Sequence, residues 1–183
     1  LIPLGAQSLR RARRLDKPYW MLAALPLVFG IQQVFEGFVW LALENDVGLL
    51  RASLGFVFFS HLFWLAWVPL ACAMIEAPGV RRKLFLLLAV TGTTAGLVTM
   101  VPLWFDPDRL QTMVMHHSIV YDLATVYDDR LPDTLTRGLY TAVILLPLCL
   151  SSETLVRWFG VLVAGAVVVV ALLYTQAFIS VWC

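Results

Sequence analysis

The sequence predicts an all-α integral membrane helical bundle, with five complete spans and a truncated first helix ahead of them. Three observations carry this expectation. Of 183 residues, 61% are hydrophobic and 14% charged, and the mean hydropathy is +0.84, well above the composition of a soluble domain. Five apolar stretches approach the ~20 residues a helix needs to cross a hydrocarbon core about 30 Å thick. Lys and Arg gather in alternate connections, as in chains with a set membrane orientation. Strands of a barrel would alternate in polarity, and runs such as Val167–Leu173 do not.

The elements follow in order along a single domain. Leu1–Leu9 is apolar and runs into Arg10, so it reads as the tail of a helix that begins before Leu1; a cleaved signal peptide would place its charge ahead of the apolar run. The spans are Pro18–Leu43, Leu54–Ala77, Leu84–Phe105, Leu135–Leu150 with flanks reaching Leu155, and Trp158–Cys183. Their connections are a short turn at 44–53, a basic turn at 78–83, a long polar interfacial segment at 106–133 and a tight turn at 151–157. Pro26, Pro69, Pro102 and Pro147 lie in or near spans, where a missing N–H can kink a helix. Gly92 and Gly96 form a G-x-x-x-G pair, and Gly160 with Ala164 a small-x-x-x-small pair; both read first as packing within the chain, with a homodimer interface as the alternative.

Orientation follows from the basic residues. One set of connections holds nine of them, Arg10, Arg11, Arg13, Arg14, Lys17, Arg81, Arg82, Lys83 and Arg157; the other holds Arg51, Arg109, Arg130 and Arg137. The first set, loops 10–17, 78–83 and 151–157, is expected on the cytoplasmic side of a bacterial cytoplasmic membrane. Loops 44–53 and 106–133 are then extracytoplasmic, and they gather eight of the twelve acids.

An ionisable group inside a span is costly, so each is a functional hypothesis. Gln32, Glu36 and Trp40 recur every four residues on one helix face, and Gln33 flanks them. His61 lies seven residues from the outer end of its span and Glu36 eight from its own, which places them at one depth on antiparallel neighbours. By the same count Thr99, Gln176 and Ser180 join a polar layer in the outer third. The pair Glu36 and His61 is open to three readings: a hydrogen-bonded pair fixing register, a site for a ligand, ion or proton, and a metal site.

Met113–Tyr121 is too apolar for a solvated loop and too short to span, so it is expected at the interface or folded over the bundle mouth as a lid. Met113, Met115, His116 and His117 combine thioether and imidazole groups that suit copper, with Cu(I) foremost, or another transition metal. No cofactor is otherwise expected. Cys72, Cys149 and Cys183 have no C-x-x-C spacing, and no Walker loop, G-x-G-x-x-G, G-x-S-x-G or H-E-x-x-H occurs. A net charge of +1 leaves no footprint for nucleic acid. Glu76 and Glu153, at cytoplasmic ends of spans, read as surface structure.

The stretch Gln32-Gln33-Val34-Phe35-Glu36-Gly37-Phe38-Val39-Trp40, the later His117-Ser118-Ile119-Val120-Tyr121 and the ending Ser180-Val181-Trp182-Cys183 together resemble a family of small bacterial polytopic membrane proteins of unknown function. Members of that family look like multi-helix proteins that begin Met-Cys-Phe-Ser and continue past the Trp-Cys pair. The resemblance marks Gln33, Glu36, His117, Tyr121 and Cys183 and implies no activity. The preferred expectation is an outward-facing pocket of Gln32, Gln33, Glu36, Trp40, His61, Thr99, Tyr121 and Gln176 that binds or passes a small polar solute, ion or proton. The alternatives are an accessory subunit of a larger membrane complex and a membrane metal or redox enzyme using His ligands.

Overall fold

A computed structural model describes residues 2–12, 14, 18–45, 47–115, 118–124 and 132–173. Helix α1 spans Ile2–Ala12, α2 Trp20–Ala23 and α3 Leu25–Asn45. The break between α2 and α3 falls at Ala24, two residues before Pro26, whose ring lacks the N–H that a continuous helix would use. Next come α4 (Leu49–Val57), a π-helical segment (Phe58–Phe63) and α5 (Trp64–Ile75), which run on as one rod. Helix α6 is Val80–Phe105, followed by a 3-10 turn at Pro107–Arg109 and strands β1 (Leu110–Met115) and β2 (Ser118–Leu123). Helices α7 (Asp133–Leu150) and α8 (Thr154–Leu173) complete the described chain.

This is an all-α membrane bundle. Trp20–Asn45, Leu49–Ile75, Val80–Phe105 and Thr154–Leu172 are long and apolar enough to cross a bilayer. Helix α7, with 18 residues, is about 27 Å long, just under the ~30 Å hydrocarbon thickness. Large apolar side chains face outward along the rods, Leu87, Val90, Leu155, Leu162 and Leu172 among them. Water would not tolerate so continuous an apolar surface, whereas lipid does.

The core centres on the α4–α5 rod, which touches α3, α6 and α7. Trp64, Val68 and Cys72 pack with Phe85 of α6 and with Ile144 and Leu148 of α7. The G-x-x-x-G pair packs within the chain, as expected. A Cβ on Gly92 would strike the Leu65 carbonyl oxygen, and one on Gly96 would lie 2.6 Å from that of His61. Gly160 likewise admits the backbone of α7 at Leu148 and Cys149.

Three features differ from the sequence expectation. The connection expected over 44–53 is largely helical: α3 runs to Asn45 and α4 starts at Leu49, with Gly48 taking the left-handed conformation at φ 78°. A helix satisfies its backbone internally whatever its side chains, so hydropathy marks only the part immersed in lipid. For the same reason α8 begins at Thr154 rather than Trp158, and α4 five residues before Leu54. The polar segment contains an antiparallel hairpin, in register from Leu110 opposite Leu123 to Met115 opposite Ser118. It packs on α4 at the end of the bundle where α3 meets α4. The basic residues Arg81, Arg82, Lys83 and Arg157 lie by the α5–α6 and α7–α8 connections, at the opposite end.

Candidate functional site

The polar face of α3 enters the core at Gln32. Its side chain is fully buried, and its Oε1 accepts a hydrogen bond from Trp64 Nε1 at 2.6 Å. Its Nε2 has no partner. Flipping the amide would set two N–H donors against each other, so the orphaned donor belongs to the site. Gln33 and Glu36 are partly buried, while Trp40 is 40% exposed. Each i to i+4 step rotates a helix position by about 40°. The stripe therefore winds off the core, and Val39 and Ala42 take over the buried face.

The hairpin packs over this end of the bundle, against Val39 of α3 and Ala52 of α4. Leu110, Thr112, Ile119, Tyr121 and Leu123 alternate onto its inner face by the register of the strands. Ile119 packs with Val39 and Ala52, and Leu110 with Val57, Met100 and Leu103. Thr112 Oγ1 donates to Ser53 Oγ at 2.8 Å, tying β1 to α4. Tyr121 lies flat on Phe56, with ring centroids 4.6 Å apart and planes 10° from parallel. Its hydroxyl is buried and has no hydrogen-bond partner among the described residues. Burial pushes the ionisation of Tyr121 upward, and the charge of Glu36 adds to the shift, so the phenol stays a neutral donor.

The imidazole of His61 points elsewhere. Its Nδ1 lies 2.9 Å from Ser60 Oγ, and its ring centroid 6.3 Å from that of Tyr140 on α7. Tyr140 donates to the Ser60 carbonyl oxygen at 2.5 Å. No hydrogen bond or ion pair joins His61 to Glu36 among the described residues. Equal depth was the basis for expecting that pair, and depth says nothing about rotation. The wider π turn carries His61 toward α7, whereas α3 meets the rod through Gln32 on Trp64 and Phe35 on Phe59.

Thr99 is buried and donates to the Ala95 carbonyl of its own helix. Met113 and Met115 stand on the outer face of β1, opposite Val120 and Ser118. His116, His117 and Gln176 lie outside the described residues, as do Ser180 and Cys183. Among the described residues no three His, Cys, Asp or Glu side chains converge. An apolar cavity of about 320 Å³ lies between α3, α5, α7 and α8, lined by Phe29, Trp64, Val68, Tyr140 and Ile144 among others. Among the described residues, none of those expected to form the polar pocket lines it.

Sequence reading passed over Ser53, Ser60, Thr112 and Tyr140; a tyrosine within an apolar span is itself a signal, because its hydroxyl must find an acceptor there. Glu76 was expected on the surface and is instead buried. Its Oε1 accepts from Ser151 Oγ and the Ser152 N–H, both at 2.7 Å, and its Oε2 lies 3.5 Å from Arg81. Burial works to raise its ionisation, but the bonds from Ser151 and Ser152, with the Arg81 charge, outweigh it and hold the carboxyl below its ordinary range. The result is a clamp between the end of α5 and the α7–α8 connection.

Comparison with curated proteins and with solved structures gives no match. The pattern of one family does match, over residues 1–183, and it is described as a family of unknown function. A bundle of membrane-length helices with a hairpin packed over one end is thus the architecture of a member of DUF6629, the family to which this chain belongs.

Proposed function

We propose that the protein is a membrane-embedded binding protein, or a conduit, for a small polar solute, ion or proton, with Glu36 and Tyr121 forming the site under the hairpin. The observation that carries this reading is the buried Tyr121 hydroxyl, which has no hydrogen-bond partner among the described residues and lies within the influence of the Glu36 charge. A buried donor without an acceptor costs about 1–3 kcal/mol. Folded proteins keep few such groups, and a ligand that supplies the acceptor recovers that cost. Gln32, four residues and so about one turn from Glu36 toward the basic end, contributes a second donor with no partner among the described residues.

The chemistry of the two donors and one carboxylate defines the guest. A carboxylate in a low-dielectric setting favours a proton or a cationic group. The phenol and the amide donors favour an acceptor oxygen. A small solute carrying both, such as a zwitterion, fits all three, and a hydrated cation fits them through its water. By the distribution of Lys and Arg, the roofed end faces away from the cytoplasm of a bacterial cell, and the guest arrives from that side.

The test uses the purified chain in lipid nanodiscs, with sodium, potassium, methylammonium and glycine betaine as probes. A guest present at a hundred times its Kd should stabilise the fold by about 2.7 kcal/mol, and the shift should vanish in Glu36→Gln and fall in Tyr121→Phe. Proton binding is read separately, as a carboxylic-acid infrared band that titrates in the wild type and is missing in Glu36→Gln. If no probe shifts the unfolding midpoint and no such band titrates, the proposal fails.

A further inference from the structure

Besides the apolar cavity, a groove lies where α3 and α4 diverge at the hairpin end. Its volume is about 440 Å³, and its walls are Phe35, Phe38, Leu41 and Val47, with Asn45 and Arg51 at the rim. Phe38, Leu41 and Val47 are exposed, so the groove is open along one side. From Phe35 to Asn45 it follows α3 for about 15 Å at 1.5 Å per residue. That is one leaflet's share of a ~30 Å hydrocarbon core. Its size falls within the 300–1,000 Å³ typical of small-molecule sites.

The polar rim is selective in sign. Asn45 spends its Nδ2 on the Leu41 carbonyl at 2.8 Å. Arg51 lines the groove and makes no hydrogen bond or ion pair among the described residues. Arg109, also near this end, is already held by Asp106 at 2.9 Å. A guanidinium with no partner among the described residues, above an apolar slot one leaflet deep, matches one kind of molecule in a bilayer: phosphate at the interface and a hydrocarbon chain beneath it. We infer that this groove binds an anionic glycerophospholipid, with its phosphate on Arg51 and one acyl chain along Phe35, Phe38 and Leu41.

The experiment is native mass spectrometry of the full chain released from nanodiscs of equimolar phosphatidylglycerol and phosphatidylcholine. The wild type should retain one phosphatidylglycerol in preference to phosphatidylcholine. Arg51→Gln should reduce that retention roughly tenfold, the loss expected for one charge-assisted contact, and Arg51→Lys should restore part of it. Arg51 is exposed, so neither change should affect folding, and an unaltered unfolding midpoint will verify this. Glycerol 3-phosphate in millimolar excess should not displace the lipid, because it lacks the chain. Equal retention in the wild type and Arg51→Gln would overturn the inference, as would a wild type that emerges bare or a groove covered by a second copy of the chain. Displacement by glycerol 3-phosphate would show a headgroup site without the acyl slot, and would overturn it too.

Discussion

Tyr121 sets a local conflict between stability and binding. Its ring is well used, stacked on Phe56, while its buried hydroxyl has no partner. Tyr121→Phe keeps the stack and removes the orphan, so it should raise the unfolding free energy by about 1 kcal/mol, read as a higher melting temperature in detergent. The same change should weaken guest binding, because the donor is gone. A lower melting temperature would mean that the hydroxyl already has an acceptor. Glu36, Gln32 and Tyr121 were each visible in the sequence as polar groups in apolar surroundings. The sequence also placed the three in one expected pocket; what it could not supply is the stacking of Tyr121 on Phe56, which sets β2 against α4 and brings the phenol under the influence of the Glu36 charge.

Helix packing separates two kinds of glycine. A side chain at Gly96 would press on the His61 and Leu62 backbone, while Gly165 in α8 has open space around it. Gly96→Leu should therefore cost at least 1–3 kcal/mol by overpacking, whereas Gly165→Ala should be neutral or stabilise by up to about 1 kcal/mol. Denaturation of both variants in the same detergent checks the contrast, and similar behaviour would count against the close contact between α6 and the π-helical segment. The hairpin offers a further check at this scale. Thr112→Val breaks the bond to Ser53 and should cost about 1 kcal/mol, accompanied by faster hydrogen exchange in β1 and β2. Strand residues such as Val114, Ile119, Val120 and Tyr121 were legible as β-formers, but an apolar interfacial helix fits the same letters. The contact with α4 decides between them.

At the scale of the whole molecule, Glu76 joins two halves of the bundle at its basic end. Its carboxyl is held below the ordinary carboxylate range in the folded state. A depressed value contributes stability above the unfolded pKa, and the contribution is lost as pH falls through the folded one. The wild type should consequently lose stability from about pH 5 downward, and Glu76→Gln should flatten that part of the profile while lowering the plateau near neutral pH. A parallel decline in the variant would assign the acid sensitivity to other carboxylates. Residues at the ends of α5, α7 and α8 share this clamp although 75 positions separate Glu76 from Ser151, and no local pattern foretells such a pairing.

The membrane class and the approximate spans were determined by the sequence alone, because lipid imposes a one-dimensional rule: about 20 apolar residues per crossing. Depth along a helix follows from the same counting. Rotation about the helix axis does not, and it changes with every Pro break, π turn and close glycine contact. Tertiary structure therefore decided that His61 turns to Tyr140 and that Tyr121 stacks on Phe56. It also decided that Glu76, apparently a surface acid, is enclosed, because only the packing of distant segments excludes water from its carboxylate.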